Sequence, residues 1–114
     1  MKPTVKFDTV IANGDVVTPQ GIEALDVAVK DGRIAALLMR GTPTEAVERI
    51  DASGQYVLPG AVDIHFHCRA PAYPQRGDFA TETRAAAAGG VTTVFEMPIS
   101  KPCCATGDIF RMRR

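Results

Sequence analysis

Neither sign of charge is in surplus in this sequence: thirteen lysines and arginines are balanced by thirteen aspartates and glutamates, for a formal net charge of zero. Nucleic acid and anionic membranes are gripped by excess cations, so a polyanion-binding role is disfavoured. Long apolar runs are missing too. None approaches the roughly 20 residues a membrane-spanning helix needs, and the start Met1-Lys2-Pro3-Thr4-Val5-Lys6 lacks the hydrophobic stretch of a secretion signal. A soluble, cytoplasmic protein is expected, with no membrane and no nucleic-acid partner. Cysteine is scarce: Cys68, Cys103 and Cys104 form an odd set with two sequence neighbours, a poor basis for a disulfide framework, so reduced thiols are expected. Histidine is scarcer still, with His65 and His67 the only two. What remains is 114 residues, 46% of them hydrophobic, enough for one ordinary domain of roughly 100 to 150 residues.

The first part reads as β. Val10-Ile11-Ala12, then Asn13-Gly14, then Asp15-Val16-Val17-Thr18 has the form of a hairpin, two apolar runs around a two-residue turn that tolerates positive φ. Pro19-Gln20-Gly21 breaks the chain. Leu25, Val27 and Val29 then alternate with Asp26, Ala28 and Lys30 up to Asp31-Gly32, a tight turn into Arg33-Ile34-Ala35-Ala36-Leu37-Leu38, which predicts a second hairpin. Between Met39 and Ser53 the pattern is open: Thr44 to Glu48 suits one helical turn, Val47 to Asp51 a short strand. Tyr56-Val57-Leu58 reads as a short strand, and Pro59-Gly60 joins fixed φ to free φ, suiting an abrupt change of direction. A boundary is placed there, separating 1–58 from 59–114.

Beyond Gly60 the grammar changes. Ala61-Val62-Asp63-Ile64-His65-Phe66-His67 has period two, setting Asp63, His65 and His67 on one face and Val62, Ile64 and Phe66 on the other. Cys68 to Gly77, with Pro71 and Pro74, is loop. Asp78 is a candidate N-cap for a helix from Phe79 to Ala88, which Gly89-Gly90 stops. Val91-Thr92-Thr93-Val94-Phe95-Glu96 completes strand, helix, strand over about 35 residues, the size of a βαβ unit with parallel strands. Thr106 is placed to cap a helix from Gly107, with Ile109, Phe110 and Arg113 at helical spacing. Two parallel strands and so little helix cannot cover both faces of a parallel sheet, so a piece of a larger protein is expected.

Residues alternating along a strand lie about 6.6 to 7 Å apart, and two neutral imidazoles at that spacing suit zinc or a similar divalent ion. A lone His-x-His is weak, and two histidines simply filling polar positions at a strand end is its bland counterpart. The position adds weight: the motif lies at the C-terminal end of the first strand of a βα series, where a βα barrel keeps its chemistry.

Pro59-Gly60-Ala61-Val62-Asp63-Ile64-His65-Phe66-His67-Cys68-Arg69-Ala70-Pro71, the run Asp78 to Thr93, and Met97-Pro98 together resemble the amidohydrolase superfamily, in its cyclic-amidase branch of dihydroorotases, allantoinases and dihydropyrimidinases. The preceding strands are similar to that family's small β domain. The resemblance implies an α/β fragment: a small N-terminal β-rich, sandwich-like domain over 1–58, then over 59–114 the first βαβ unit of a TIM-like metal-dependent hydrolase barrel. It implies that His65 and His67 are ligands of a binuclear centre, commonly zinc, whose activated hydroxide opens a cyclic amide or ureide. Arg69 stands where dihydroorotase-like members hold a substrate carboxylate with a planar guanidinium, although a solvated loop arginine would look the same. Asp63 reads as a structural or orienting partner rather than a ligand, with a backbone cap the equal alternative. A homo-oligomeric parent is also implied.

Two departures bear on the substrate. Ala72 follows Pro71 where dihydroorotases usually have glycine, and Ile99-Ser100 follows Met97-Pro98 where they usually place asparagine. The family's bridging lysine, two further histidines and late aspartate have no counterpart here, and Lys101 is wrongly placed, so this polypeptide alone is expected to be inactive. Two other readings stand beside this one. A zinc site from the cysteines and histidines lacks paired Cys-x-x-Cys spacing. A non-catalytic module is the other reading, in which the β-rich half folds and the remainder pairs with another chain. Ala85 to Ala88 reads as a close-packing helix face, and Arg111, Arg113 and Arg114 as a solvated one.

Overall fold

The computed structural model describes residues 6–99 and 101–113; the Met1-Val5 start, Ser100 and Arg114 named above lie outside the described residues. The chain divides into two compact units, Met1–Pro59 and Gly60–Arg114.

The regular elements of the first unit, among the described residues, are all strands. Its strands are β1 (Lys6–Ala12), β2 (Asp15–Thr18), β3 (Gly21–Glu23), β4 (Leu25–Lys30), β5 (Arg33–Met39), β6 (Glu45–Asp51) and β7 (Tyr56–Val57). They form a four-stranded sheet in the order β5-β4-β1-β6 and a three-stranded sheet in the order β3-β2-β7. The predicted hairpin at Asp31-Gly32 is present: Lys30 pairs with Arg33, and both turn residues have positive φ, +52° and +70°, as a two-residue turn matched to strand twist requires.

The hairpin expected at Asn13-Gly14 is not. β1 and β2 belong to different sheets, and the chain crosses between them at these two residues. Asn13 takes positive φ, +66°, but Gly14 serves a different purpose: a Cβ there would come within 2.5 Å of Val57 Cγ2 and 3.0 Å of the Ala52 Cβ. A second crossing explains the crowding. β6 runs parallel to β1 and β7 parallel to β2, so the segment 52–55 passes from sheet to sheet alongside Asn13-Gly14. Asp51 ties the two crossings, accepting from Asn13 Nδ2 at 2.9 Å and from the Ser53 hydroxyl at 2.6 Å. These bonds, Ser53's first, hold its carboxyl below the usual carboxylate range. Within the open stretch before Ser53, Glu45 to Asp51 is strand, because it pairs in parallel with β1 from Lys6 to Ala12. Pro19-Gln20, read as a break, is the two-residue loop of a β2–β3 hairpin, with Thr18 opposite Gly21.

The core of this unit is small and centred on Val10, Ala12 and Ala28, with Phe7, Ala36, Leu38 and Ala46 against it. One carboxylate lies among the buried residues. Asp26 is 1% exposed, and its two oxygens accept from the Asn13 amide at 2.9 Å and the Gly41 amide at 3.2 Å. A buried polar side chain is tolerated when its bonds are made, and here it satisfies two loop amides that have left the ladder. Sequence periodicity gave no hint of this, since Asp26 occupies an ordinary polar slot in an alternating strand.

The second unit holds β8 (Ala61–Phe66), a 3₁₀ turn over Pro74–Arg76, α1 (Phe79–Ala88), β9 (Val91–Glu96) and α2 (Gly107–Arg113). β8 and β9 are parallel, with α1 between them in sequence. Asp78 caps α1: its carboxylate accepts from the Thr81 amide at 2.8 Å while the Thr81 hydroxyl bonds back to the Asp78 amide at 3.0 Å. Gly60 enters β8 by close approach rather than by unusual φ, since a Cβ there would lie 2.2 Å from Thr92 Oγ1. Apolar side chains remain uncovered: Val62 is 56% exposed and Ile64 71%, and of the alanines from 85 to 88 only Ala86 is half-buried. Parallel strands are normally covered on both faces, and one ten-residue helix cannot do it. In α2, Arg111 pairs with Asp108 on an exposed surface, where such pairs contribute little. Among the described residues, no helix is long and apolar enough to cross a membrane.

Two outcomes follow. Asp26→Ala takes the acceptor from two part-buried amides, those of Asn13 and Gly41, at about 0.5–1.5 kcal/mol each, and should lower the denaturation midpoint of the β-rich unit beyond the effect of Asp26→Asn, which keeps one acceptor; equilibrium urea unfolding of the three proteins measures it. The Thr81 amide and hydroxyl hold the Asp78 carboxyl below its ordinary value. A depressed pKa stabilises above the unfolded value, so protection of the first-turn amides of α1 should be intact above about pH 4 and fall as pH drops through the folded pKa. Hydrogen exchange should show that loss in the native chain and not in Asp78→Ala.

Candidate functional site

The site grows from a defect in the β8–β9 ladder. Asp63 pairs with Val94 and Phe66 with Glu96, so Ile64, His65 and Phe66 advance along β8 while only Phe95 and Glu96 advance along β9. One residue is extra, the signature of a bulge, which bends a strand and re-aims its side chains. Asp63 supports it: its Oδ1 accepts from the His65 amide at 2.9 Å, supplying locally a partner that the ladder would otherwise provide. Of the two roles expected for Asp63, the structure displays the backbone cap.

His65 and His67 converge despite the bulge. Their Nε2 atoms are 3.1 Å apart, and the rings meet edge-on with centroids 4.9 Å apart and planes at 78°. His67 has a second anchor, its Nδ1 lying 2.6 Å from the Met97 carbonyl oxygen. A carbonyl can only accept, so Nδ1 carries the proton, and in the neutral ring the Nε2 lone pair faces His65. The Nε2–H tautomer of His65 donates to that lone pair across the 3.1 Å, and a cation can take the place of the shared proton. Two nitrogens bound to one tetrahedral zinc, each at about 2.0–2.1 Å, lie about 3.3 Å apart, close to the separation found. A ligand histidine ordinarily donates its other ring N–H to a carbonyl or carboxylate, as His67 does. The donor set therefore fits a divalent metal.

Other predicted residues stand apart from the pair. Among the described residues no group of three or more His, Cys, Asp and Glu side chains is placed to hold a metal, so the cysteines do not join the histidines. Cys68 is buried, Cys103 exposed and Cys104 half-buried, and no disulfide links them. Arg69 is half-buried just past β8, with its carbonyl accepting from the Tyr73 amide at 3.2 Å. The ion pairs among the described residues, Arg40–Asp15 and Arg111–Asp108, do not involve it. Sequence reasoning passed over the Met97 carbonyl, because a backbone acceptor carries no side-chain signal; Pro98 after it was the only trace.

A β-rich unit is thus followed in the chain by two parallel strands with an imidazole pair at the end of the first. No family model matches the chain. Individual proteins do. The chain is 41% identical over 105 residues to an L-hydantoinase from Paenarthrobacter aurescens, covering 91% of this chain and 23% of that protein. It is 40% identical over 98 residues to an allantoinase from Desulfitobacterium hafniense, covering 85% of this chain and 22% of that protein. Among solved structures, L-hydantoinase (dihydropyrimidinase) from Arthrobacter aurescens superposes with a TM-score of 0.84 at 40% identity, over 93% of this chain and 24% of that one. N-acyl-D-glutamate deacylase from Bordetella bronchiseptica, complexed with zinc and a phosphonate inhibitor, gives 0.59 at 33% identity, over 79% and 18%. The chain matches the N-terminal region of cyclic amidohydrolases of the hydantoinase and allantoinase type, and spans about a quarter or less of the length of these relatives.

If the Asp63 carboxylate sustains the bulge, Asp63→Ala should speed exchange of the His65 amide about tenfold, the equivalent of one hydrogen bond, and Asp63→Asn should not, since its amide oxygen still accepts. Equal rates in all three proteins would separate Asp63 from the bulge.

Proposed function

We propose that this chain is the amino-terminal part of a metal-dependent cyclic amidohydrolase, with a β-rich domain ending near residue 58 and the first strand, helix and strand of a (β/α) barrel after it. The convergence of His65 and His67 on one point, with His67 already tied through Nδ1, carries this reading. His65 and His67 are the residues that would hold the ion, zinc being the metal that two imidazoles suit, with the remaining ligands coming from outside this chain. Bound there, a divalent ion supplies Lewis-acid polarisation of an amide carbonyl and acidifies water. His67 contributes a neutral ring in one tautomer, and Asp63 fixes the strand that presents His65. The exposed Val62 and Ile64 are surfaces for further barrel layers.

The reaction adds water across a ring C–N bond, oxygen to the carbonyl carbon and a proton to the departing nitrogen. The substrate class is a cyclic amide or ureide of the hydantoin or allantoin kind, consistent with the relatives' names and with Ala72 and Ile99 departing from the dihydroorotase pattern. Arg69, two residues past His67, is the group that would bind an anionic or carbonyl oxygen of the ring through its planar fork. Three thiols without a disulfide suit a reducing compartment, hence the cytoplasm.

The test is hydrolysis by the complete gene product supplied with zinc, assayed on hydantoin, allantoin and dihydroorotate. His65→Asn and His67→Asn should each lower kcat/KM by more than about a hundredfold, since losing a ligand exceeds losing an orienting partner. Arg69→Ala should act mainly on KM. The 114-residue chain alone should be inactive. Undiminished turnover in His67→Asn would end this reading.

A further inference from the structure

The Met97-Pro98 dipeptide stands out in the sequence, yet neither side chain has a task in the site as described. Both are exposed, Met97 at 42%. The backbone of Met97 is engaged twice. Its amide donates to the Phe66 carbonyl at 2.8 Å, the peptide group immediately before His67, and its carbonyl accepts from His67 Nδ1 at 2.6 Å. Both bonds lie beyond the last residue of β9, where a strand end would ordinarily fray. Proline at position 98 bears on this directly. Its Cδ clashes with the preceding residue in the α region, confining Met97 to extended conformations and so limiting the directions its carbonyl can take.

We infer that Met97-Pro98 is a positioning device for His67: Pro98 pre-sets the backbone of Met97, and the Met97 carbonyl then selects the Nδ1–H tautomer and aims Nε2 at His65. The role belongs to the backbone, so the chemical identity of the residue at 97 is open while its conformation is not. This inference rests on the metal reading only for its purpose; the bracing itself is a property of the chain. Its energetic logic is preorganisation, because a ring already held in one tautomer and orientation loses less freedom when a cation arrives.

The experiment uses the full chain, with the ring nitrogens of His65 and His67 read by ¹⁵N NMR without metal and the affinity for zinc alone measured by titration. In the native chain His67 should be in the Nδ1–H form. Pro98→Ala should mix the two tautomers and weaken zinc binding about tenfold, the low end of what losing an orienting partner costs. Met97→Leu should change neither. Adding Met97→Val to Pro98→Ala should restore both, because a β-branched residue favours the extended region without help from proline. The double variant also decides the matter if Pro98→Ala alone loses the β8–β9 pairing: recovery of the tautomer supports the device, and failure to recover it overturns it. A Pro98→Ala protein with native tautomer and native zinc affinity overturns it, as does a Met97→Leu protein that behaves like Pro98→Ala. Should the tautomer follow Pro98 while zinc perturbs neither ring, the bracing stands and the metal reading falls.

Discussion

The parallel pairing of β8 with β9 is the constraint on which the site depends. It brings the residue after β9 beside the residue after β8, so that Met97 can reach across to the backbone before His67 and to the ring of His67 itself. Without that registry the two histidines are merely alternate residues near a strand end. With it, one ring has a defined tautomer and the other is presented by a bulge that Asp63 supports. The chemistry is thus assembled from backbone groups as much as from side chains. Hydrogen bonds of this kind contribute modestly to stability and strongly to geometry.

The β-rich unit follows the same logic with a different polar residue. Chains that cross between sheets leave amides out of the ladders, and each must find an acceptor or remain costly. Asp26 provides two such acceptors from inside the core, and Asp51 provides one for the Ser53 amide at the surface, where the two crossings run side by side. A small residue completes the arrangement: Gly14 lies where a side chain would collide with Val57 and Ala52. The exposed apolar residues of β5 and β6, such as Ile34 and Val47, show how little of this unit's hydrophobic surface its own core consumes.

Much of the second unit was legible in advance because its signals are local. The N-cap at Asp78, the helix formers from Phe79, the double glycine and the β-branched run from Val91 each act within a few residues, and each element lies where those signals place it. The turn at Asp31-Gly32 was legible for the same reason. Asn13-Gly14 misled because an Asn-Gly pair reports a chain that can take positive φ, not which strand will accept the next hydrogen bond. The stretch from Glu45 to Asp51 was undecided because its alternation is weak and its partner, β1, lies about forty residues earlier, a separation read from the register Lys6 to Glu45. Among site residues, the His-x-His pair announced itself, whereas the bulge and the Met97 carbonyl did not, since neither is encoded by a distinctive side chain.

Composition and short-range pattern settled the class of molecule: a charge-neutral chain, a β-rich half, then strand, helix and strand with two imidazoles at the first strand's end. Those features depend on forces acting within one or two turns or along one strand. Sheet membership, the burial of Asp26, the direction of the His65 ring and the tautomer of His67 came from contacts between residues distant in sequence. Such contacts exist only after the strands have paired, because a backbone carbonyl becomes a specific partner only when folding brings it within hydrogen-bonding distance.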